Sequence, residues 1–397
     1  MKKILFTFVL LLVSTLLVAQ SNTATTTQTG DDNSAIVNQT GLTNTATVDQ
    51  KDGYNTATVD ETGDLNTANV MQRTLSSTAA NLVDVDQLGN SNYAQAQQWN
   101  SGNEAIVLQD DAAGSNNWAR ISQAQSGNYS KIWQTGSDNH SVALTNGGNT
   151  THKITQVGDE NIGTAASYGG SNTAIISQTG NDNDAGVLPY YAGPEGIYQS
   201  GMLNEATITV VGDDNSTFVS QVGDGNGALM ELGVYGGASF NSADFTQVGN
   251  DNYLEAKMVS AENSSVVGTQ EGDNNLFRVG IRGDDNTVNM TAEGNQNRGS
   301  WNFSSPHPEY PTHNTLDITQ DGNQNLTNGA VDGDYNDIDI IQTGNGNSVG
   351  TLWYGNDGVN ITGSHNDVDI SQTGIGLNKS FNSITGNNNT ISVIQTN

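Results

Sequence analysis

The stretch NTATTTQTGDDNSAIVNQTGLTNTATVDQ, residues 22–50, states one phrase three times. Asn22, Asn33 and Asn44 open its copies at a spacing of eleven residues, and Asn55 and Asn66 continue the series with NTATVDE and NTANVMQ. The unit is N-x-A-x-(V/I)-x-Q-x-G-x-x. Its Asn, Ala, Val/Ile and Gln stand two residues apart, so all four share one face of a β-strand. The residues between them are Thr, Ser, Asp and Lys, which suit water. The Gly-x-x that follows reads as a tight turn, because Gly tolerates positive φ and Asp or Asn bonds the local backbone. A helix is excluded by the frequency of Gly and by an apolar spacing that is not 3.6.

The phase returns along the chain at Asn92 and Asn103, Asn117 and Asn128, Asn161 and Asn172, and at Asn204, Asn215 and Asn226. It continues at Asn252 and Asn263, Asn275 and Asn286, Asn325, Asn336 and Asn347, and Asn378 and Asn389. A repeat this persistent predicts stacked units rather than a conventional core. One seven-residue strand cannot stand alone. Two facing strands make a coil of twenty-two residues, and successive coils pair in parallel at about 4.8 Å. Roughly sixteen such coils would form an all-β, amyloid-like solenoid of two facing parallel sheets, about 75 Å long. The expected inward columns are Asn33, Ala35, Val37 and Gln39; Asn44, Ala46, Val48 and Gln50; Asn55 and Asn66; Asn92 and Gln98; Asn103 and Gln109; and Asn128 and Gln134. Inward amides left unpaired would cost a few kcal/mol each. Stacking them as ladders satisfies them, which explains why Asn and Gln recur rather than any polar residue. The Gln position is expected to decay in later units, where Ser167, Val210, Met258 and Ile281 occupy it.

Composition fits this architecture. Only 34% of the 397 residues are hydrophobic and 46 are Gly, too lean for two or three ordinary domains. The formal charge of −30 excludes nucleic acid as a partner, since phosphate binding needs a basic footprint. Lys2 and Lys3 followed by an apolar run from Ile4 to Ala19 predict a signal peptide over residues 1–19. Residues 20–397 are then one solenoid, secreted and without cysteine. Proline cannot donate to a ladder, so Pro189 and Pro194, and Pro306, Pro308 and Pro311, predict loops bulging outward near 188–199 and 299–313. Shorter irregularities are expected around Arg73–Ala80, Asp110–Ser115 and Leu232–Ala238.

The phrase Gln28-T-Gly30-D-D-Asn33-S-Ala35-I-V-N-Gln39, repeated at Gln39–Gln50 and with single changes at Gln87–Gln98 and Gln123–Gln134, resembles the curlin repeat of curli subunits. The resemblance implies a secreted structural subunit that polymerises into cell-surface amyloid fibres for adhesion and biofilm matrix. It also implies self-assembly, or assembly with related curlin subunits, and export through a dedicated outer-membrane pore. The chain departs from the pattern in opening both halves of a coil with Asn and in its proline interruptions.

Other functions find less in the residues. No catalytic set and no cofactor motif stands out. His140, His152, His307, His313 and His365 lack metal-ligand spacing, and solvated turn Asp is a simpler reading than calcium binding. Outward Thr-x-Thr pairs at Thr23/Thr25, Thr45/Thr47 and Thr56/Thr58 suggest ice binding, but β-propensity explains them too. Tyr93, Trp118, Arg120, Tyr129, Lys131 and Trp133 sit at outward offsets, either as a patch for glycans or surface matrix, or as plain cross-coil stacking. The alternative to a fibre is a monomeric secreted solenoid adhesin, or an ice- or glycan-binding protein.

Overall fold

The computed structural model describes residues 21–74, 79–186, 196–233, 238–303, 311–350, 358–375 and 378–397. The signal-peptide stretch, Pro189, Pro194, Pro306 and Pro308 lie outside the described residues.

The described chain contains no helix, and its strands alternate between two parallel sheets stacked as a β-solenoid of about 15 turns. Each seven-residue phrase becomes one strand, as in Thr23–Thr29, Ser34–Thr40 and Thr45–Lys51. Strands pair with the next but one: Thr23 faces Thr45 and Gln28 faces Gln50 in one sheet, while Ser34 faces Thr56 in the other. The register of twenty-two residues follows from the period of eleven, because neighbouring units fall on opposite sheets. We call the sheet containing Thr23–Thr29 the first and that containing Ser34–Thr40 the second. The last strand, Thr390–Thr396, returns to the first sheet.

Interior strands bury alternate residues, as the two-residue period requires: Ala46, Val48, Ala57, Val59, Ala105, Val107, Ile132 and Ile154 are fully buried. The turns close as expected. Gly136 has φ +109, and a Cβ there would stand 2.1 Å from the carbonyl oxygen of Gly158 one coil on. Gly is needed both for the backbone angle and for that approach. Beside it, the residue before the strand-opening Asn takes positive φ, often a non-glycine such as Asp138 at 57° and Glu160 at 59°, and glycine at Gly102, Gly127, Gly225 and Gly346.

Three expectations change, and a fourth, the irregularity at Asp110–Ser115, holds and takes a definite form. Ile197–Ser200 and Arg298–Phe303 are strands in register with their neighbours, so residues 197–199 and 299–303 belong to the ladder rather than to loops. Pro311 is buried in the turn column instead of bulging outward: its carbonyl accepts Asn286 Nδ2 at 2.9 Å, the role Gly plays in other turns. Asn263 is a turn residue with φ 52°, and Ser264 takes the Asn position, its amide donating to Asn241 Oδ1. The irregularity at Asp110–Ser115 is a bulge within one strand, Glu104–Ser115, whose register shifts against Leu88 and Asn90.

Candidate assembly surfaces and the amide columns

Within an unbroken run, an inward Gln such as Gln50, Gln72 or Gln98 does two jobs with its two Nε2 hydrogens. In the first sheet Gln28 donates to Gln50 Oε1 at 2.7 Å, Gln50 to Gln72 at 2.9 Å, Gln72 to Gln98 at 3.0 Å and Gln98 to Gln123 at 2.9 Å. The other hydrogen crosses to the opposite sheet, as from Gln50 to the Ser34 carbonyl at 2.9 Å and from Gln98 to the Leu82 carbonyl at 2.9 Å. Every amide of these columns points the same way along the axis, which gives the stack a polarity.

Asn is bonded differently from the amide-on-amide stack expected. Asn44 Oδ1 accepts the backbone amide of Asn66 at 2.9 Å, and Asn44 Nδ2 donates to the Gly63 carbonyl at 2.8 Å. Asn55, Asn92, Asn103 and Asn128 accept or give the same backbone-directed bonds. Asn therefore fastens each strand start to the neighbouring turn, and amide-to-amide bonds such as Asn161 to Asn139 at 3.0 Å are added to that bracket. A third column stands on the exposed turns: Ser137 N donates to Asp159 Oδ1 at 2.7 Å, Asp159 N to Asn181 at 2.8 Å and Asn181 N to Asp213 at 2.7 Å. Turn Asp is thus an acceptor for the preceding coil. The spacing of the GDDN and GDEN phrases carried that signal.

The Gln position changes by sheet instead of decaying uniformly. In the second sheet the column runs from Gln109 through Gln134 and Gln156 to Gln178, then becomes Val210, Leu232, Met258, Ile281 and Phe303. In the first sheet the Gln bonds resume after Ser167, from Gln199 to Gln221 and on to Gln247 and Gln270, and again from Gln320 to Gln395. Along this apolar stretch bulk is balanced between adjacent coils, at Gly299 and Gly329 in the second sheet and at Gly268 in the first. A Cβ on Gly299 would meet Phe277 Cδ1 at 2.4 Å, one on Gly329 would meet Trp301 at 2.4 Å, and one on Gly268 would meet Phe245 Cδ1 at 3.2 Å. Each large side chain occupies the space that its neighbour's missing side chain leaves.

The outward aromatics do not form one patch. Tyr93 stacks on Trp118 (5.8 Å, 8°) and Trp118 on His140 (4.0 Å, 11°) on the outside of the first sheet, next to Arg120. Tyr129, Lys131 and Trp133 lie on the outside of the second, where Lys131 Nζ sits 5.6 Å from the Trp133 ring and Lys153 Nζ 5.9 Å from Tyr129. The sequence missed the split because successive units face opposite ways. It also missed a stack on the turns, His313 on Tyr335 on His365, with His313 3.4 Å from Asp285. His152 fills an Ala position and is fully buried, its Nε2 2.7 Å from Ser167 Oγ; burial pushes its pKa down to about 3. Burial likewise lowers that of His140 to about 4. Among the described residues no cluster of His, Cys, Asp and Glu could hold a metal ion.

The two ends are the least covered parts of the core. Ala35 and Val37 at one end, and Ile391 and Val393 at the other, are only partly buried, as are Asn33 and Gln39. Ile36 and Ile394, on the outside of these end strands, are 52% and 77% exposed.

Residues 19–51, 149–180, 196–232, 312–344 and 333–374 each match the family model of the curlin associated repeat. These five matches support assigning the chain to the curlin-repeat family. The first matched segment of this curlin-repeat chain spans the end strands Thr23–Thr29 and Ser34–Thr40, and the last reaches Asp367–Ile375, beside the other end. A search among curated proteins found no match. The family is structural and non-enzymatic, and its members are extracellular curli subunits.

Proposed function

We propose that this chain is a structural subunit of an extracellular, curli-like amyloid fibre, growing end to end and serving cell adhesion and biofilm matrix. Residues 1–19 are removed on export, and the rest forms one solenoid whose partners are further copies or related curlin subunits, delivered by outer-membrane export machinery. The observation that carries this reading is the pair of open ends. Among the described residues each end is a strand edge with a neighbour on one side only, a geometry that templates another strand, and each leaves core side chains partly uncovered.

The ends are complementary when the strand alternation simply continues. Because the first and last strands lie in the same sheet, a second copy turned by half a coil sets its Ser34–Thr40 on the first copy's Thr390–Thr396. Ala35 then covers Ile391, Val37 covers Val393, and Gln39, whose Nε2 is engaged with Glu61 and the Thr23 carbonyl, offers its Oε1 to Gln395. Thr23–Thr29 meanwhile lies on the strand pair Lys379–Ser380 and Asn382–Thr385, so Thr26 meets Asn382. Asn378 Oδ1 there already accepts Asn397 Nδ2 at 2.8 Å. An Asn oxygen in this position accepts two donors elsewhere, as Asn325 does from Asn347, so the incoming Asn22 amide can share it. Without the half-turn, Thr26 would sit on Val393. The flat Tyr93–Trp118–His140 stack favours, as a second reading, a monomeric adhesin that holds glycans on that face.

Purified protein lacking residues 1–19 should form thioflavin-positive fibres with reflections near about 4.7 and 10 Å. Assembly should quicken as pH falls from neutral. Burial, and then the carboxylates of Asp367, Asp317 and Asp369, raise the pKa of Asp337, and burial followed by Asp317 and Asp369 does the same for Asp339. A carboxyl raised in the folded state binds protons more readily there, so its contribution grows as pH falls and is lost as pH rises through the folded value. The buried His140 and His152 act in the opposite sense, since their folded values are lowered and the fold loses stability as pH falls below the ordinary value near 6.5. The two effects oppose one another, so assembly is expected to be fastest at mildly acidic pH and to slow again in stronger acid. Protein that stays monomeric from neutral pH to that range would favour the adhesin.

A further inference from the structure

One residue in the Gln columns cannot pass a hydrogen bond onward. Glu61 stands where Gln is expected in the second sheet, between Gln39 and Gln87, and is 1% exposed. Gln39 Nε2 donates to Glu61 Oε2 at 2.6 Å. A glutamine at this place would next donate to Gln87. An ionised carboxylate has no donor, so two acceptors face each other across this step. The structure carries the consequence: Glu61 Oε1 and Gln87 Oε1 are both buried without a hydrogen-bond partner. Gln320 behaves in the same way, following Ala292, which also lacks a donor; its Oε1 is orphaned too. By contrast Gln199, following Ser167, is satisfied by the Ser167 hydroxyl at 2.8 Å.

Turning the amides around does not repair the step. Gln87 Nε2 already donates to Gln109 Oε1 at 2.8 Å, and a flipped Gln87 would place two oxygens face to face one coil later. Flipping the whole run would aim oxygens at the opposite-sheet carbonyls that the Nε2 groups now serve, Tyr93 from Gln109, Trp118 from Gln134 and Ile162 from Gln178.

We propose that Glu61 is a proton-binding site of the solenoid: its neutral carboxyl donates O–H to Gln87 Oε1 and joins the end coil to the amide column behind it. The donor side is complete, because Gln39 already supplies a bond to the other oxygen. Burial pushes the Glu61 carboxyl above its ordinary range, and the Gln39 side chain and Ala68 backbone pull it back in part. Among the described residues no second charge faces it from the packed elements. The inward groups on the flanking strands are Gln39 and Gln87, and those at the same offset in the facing sheet are Gln50 and Gln72. Asp60, Asp84 and Asp86 stand at outward positions of the same sheet. Since Glu61 lies one coil in from the N-terminal edge, its proton sets how firmly the strand Asn55–Thr62, with the end strand Ser34–Thr40 stacked on it, is joined to the strand Asn81–Asn90. The proposal about the fold stands without the fibre reading; its effect on growth rests on that reading.

The test compares Glu61→Gln with the unchanged protein by thermal unfolding and by assembly lag, at about pH 7 and about pH 4. Glutamine supplies the donor permanently, so it should raise the unfolding midpoint at neutral pH, with the gain shrinking towards zero in acid where the native carboxyl is itself protonated. Glu61→Met, which removes the buried charge but supplies no donor to Gln87 Oε1 and no acceptor to Gln39, should fall short of the gain that Glu61→Gln gives at neutral pH. Carboxyl NMR of Glu61 should show it protonated at higher pH than the exposed glutamates. An equal gain at both pH values, no gain at neutral pH, or a Glu61 titration like that of an exposed glutamate would overturn the proposal. If Glu61→Gln stabilises the fold as expected but no fibre forms from any variant, the proton site stands and the fibre reading falls. In fibres, the same substitution should shorten the lag at neutral pH and leave it unchanged in acid.

Discussion

Replacing Gly299 with Val should cost the fold about 3 kcal/mol or more, the upper part of the range for overfilling a packed interior. A Cβ at this position already falls 2.4 Å from Phe277 Cδ1 and 3.1 Å from Thr327 Oγ1. Parallel pairing on both sides holds the backbone of Arg298–Phe303 to its neighbours, so the strand cannot back away without breaking ladder bonds. Phe277→Ala alone should also be costly, because it leaves a cavity in a core with few voids. Together the two changes should recover a large part of either loss, because the new methyls occupy the space the ring vacates. A double-mutant cycle by denaturant unfolding should give a favourable coupling of at least about 1 kcal/mol. Additive losses would mean that the glycine is there for its backbone and that the exchange of bulk between coils is incidental.

Val37→Pro should slow fibre elongation by about tenfold or more, equivalent to about 1.4 kcal/mol per decade, and leave the isolated solenoid as stable as before. Amides at outward positions donate forward to the next coil, as Thr23 N does to the Asn44 carbonyl and Thr45 N to that of Asn66, whereas those in phase with the turn glycines donate back, as Gly63 N does to the Thr40 carbonyl. That alternation aims the Val37 amide away from the body of the molecule, at the edge where an incoming copy must bond. Proline is tolerated on such an edge and deletes the donor. Asn38→Pro removes an amide aimed inward at the Asn55–Thr62 strand, and should damage the fold itself. If Val37→Pro elongates normally, the N-terminal edge is not a growth surface.

Much of this architecture is legible in eleven residues. The two-residue alternation places Asn, Ala, Val and Gln inside, and the turn glycine sets where each strand stops, because both follow from local geometry. What the period of eleven hides is parity. Tyr93 and Trp118 belong to one sheet and Tyr129 and Trp133 to the other, so a patch that looks continuous in the chain is divided between opposite sides. Parity also explains why Val210, Met258 and Ile281 looked like decay: they follow one another in a single column, while Gln221, Gln247 and Gln270 continue the other. Reading at twenty-two residues would have exposed Phe277 and Gly299 as partners. The bonding of Asn to turn carbonyls had no such signal, because an Asn column and an Asn bracket require the same residue at the same place.

Disulfide trapping at the junction tests the end-to-end account most directly, and the absence of native cysteine makes it clean. Ile36→Cys and Ser392→Cys would stand directly opposite one another where Ser34–Thr40 of one copy lies on Thr390–Thr396 of the next, at a Cα separation of about 4.8 Å, within disulfide reach. Asn38→Cys with Ile394→Cys offers a second pair at the same junction. Fibres grown from either double variant and then oxidised should run on a non-reducing gel as a ladder of covalent multimers, whereas Thr25→Cys with Ser392→Cys should remain monomeric. A ladder from the Thr25 pair alone would contradict the half-turn, and fibres that give no ladder from any of the three pairs would contradict end-to-end growth.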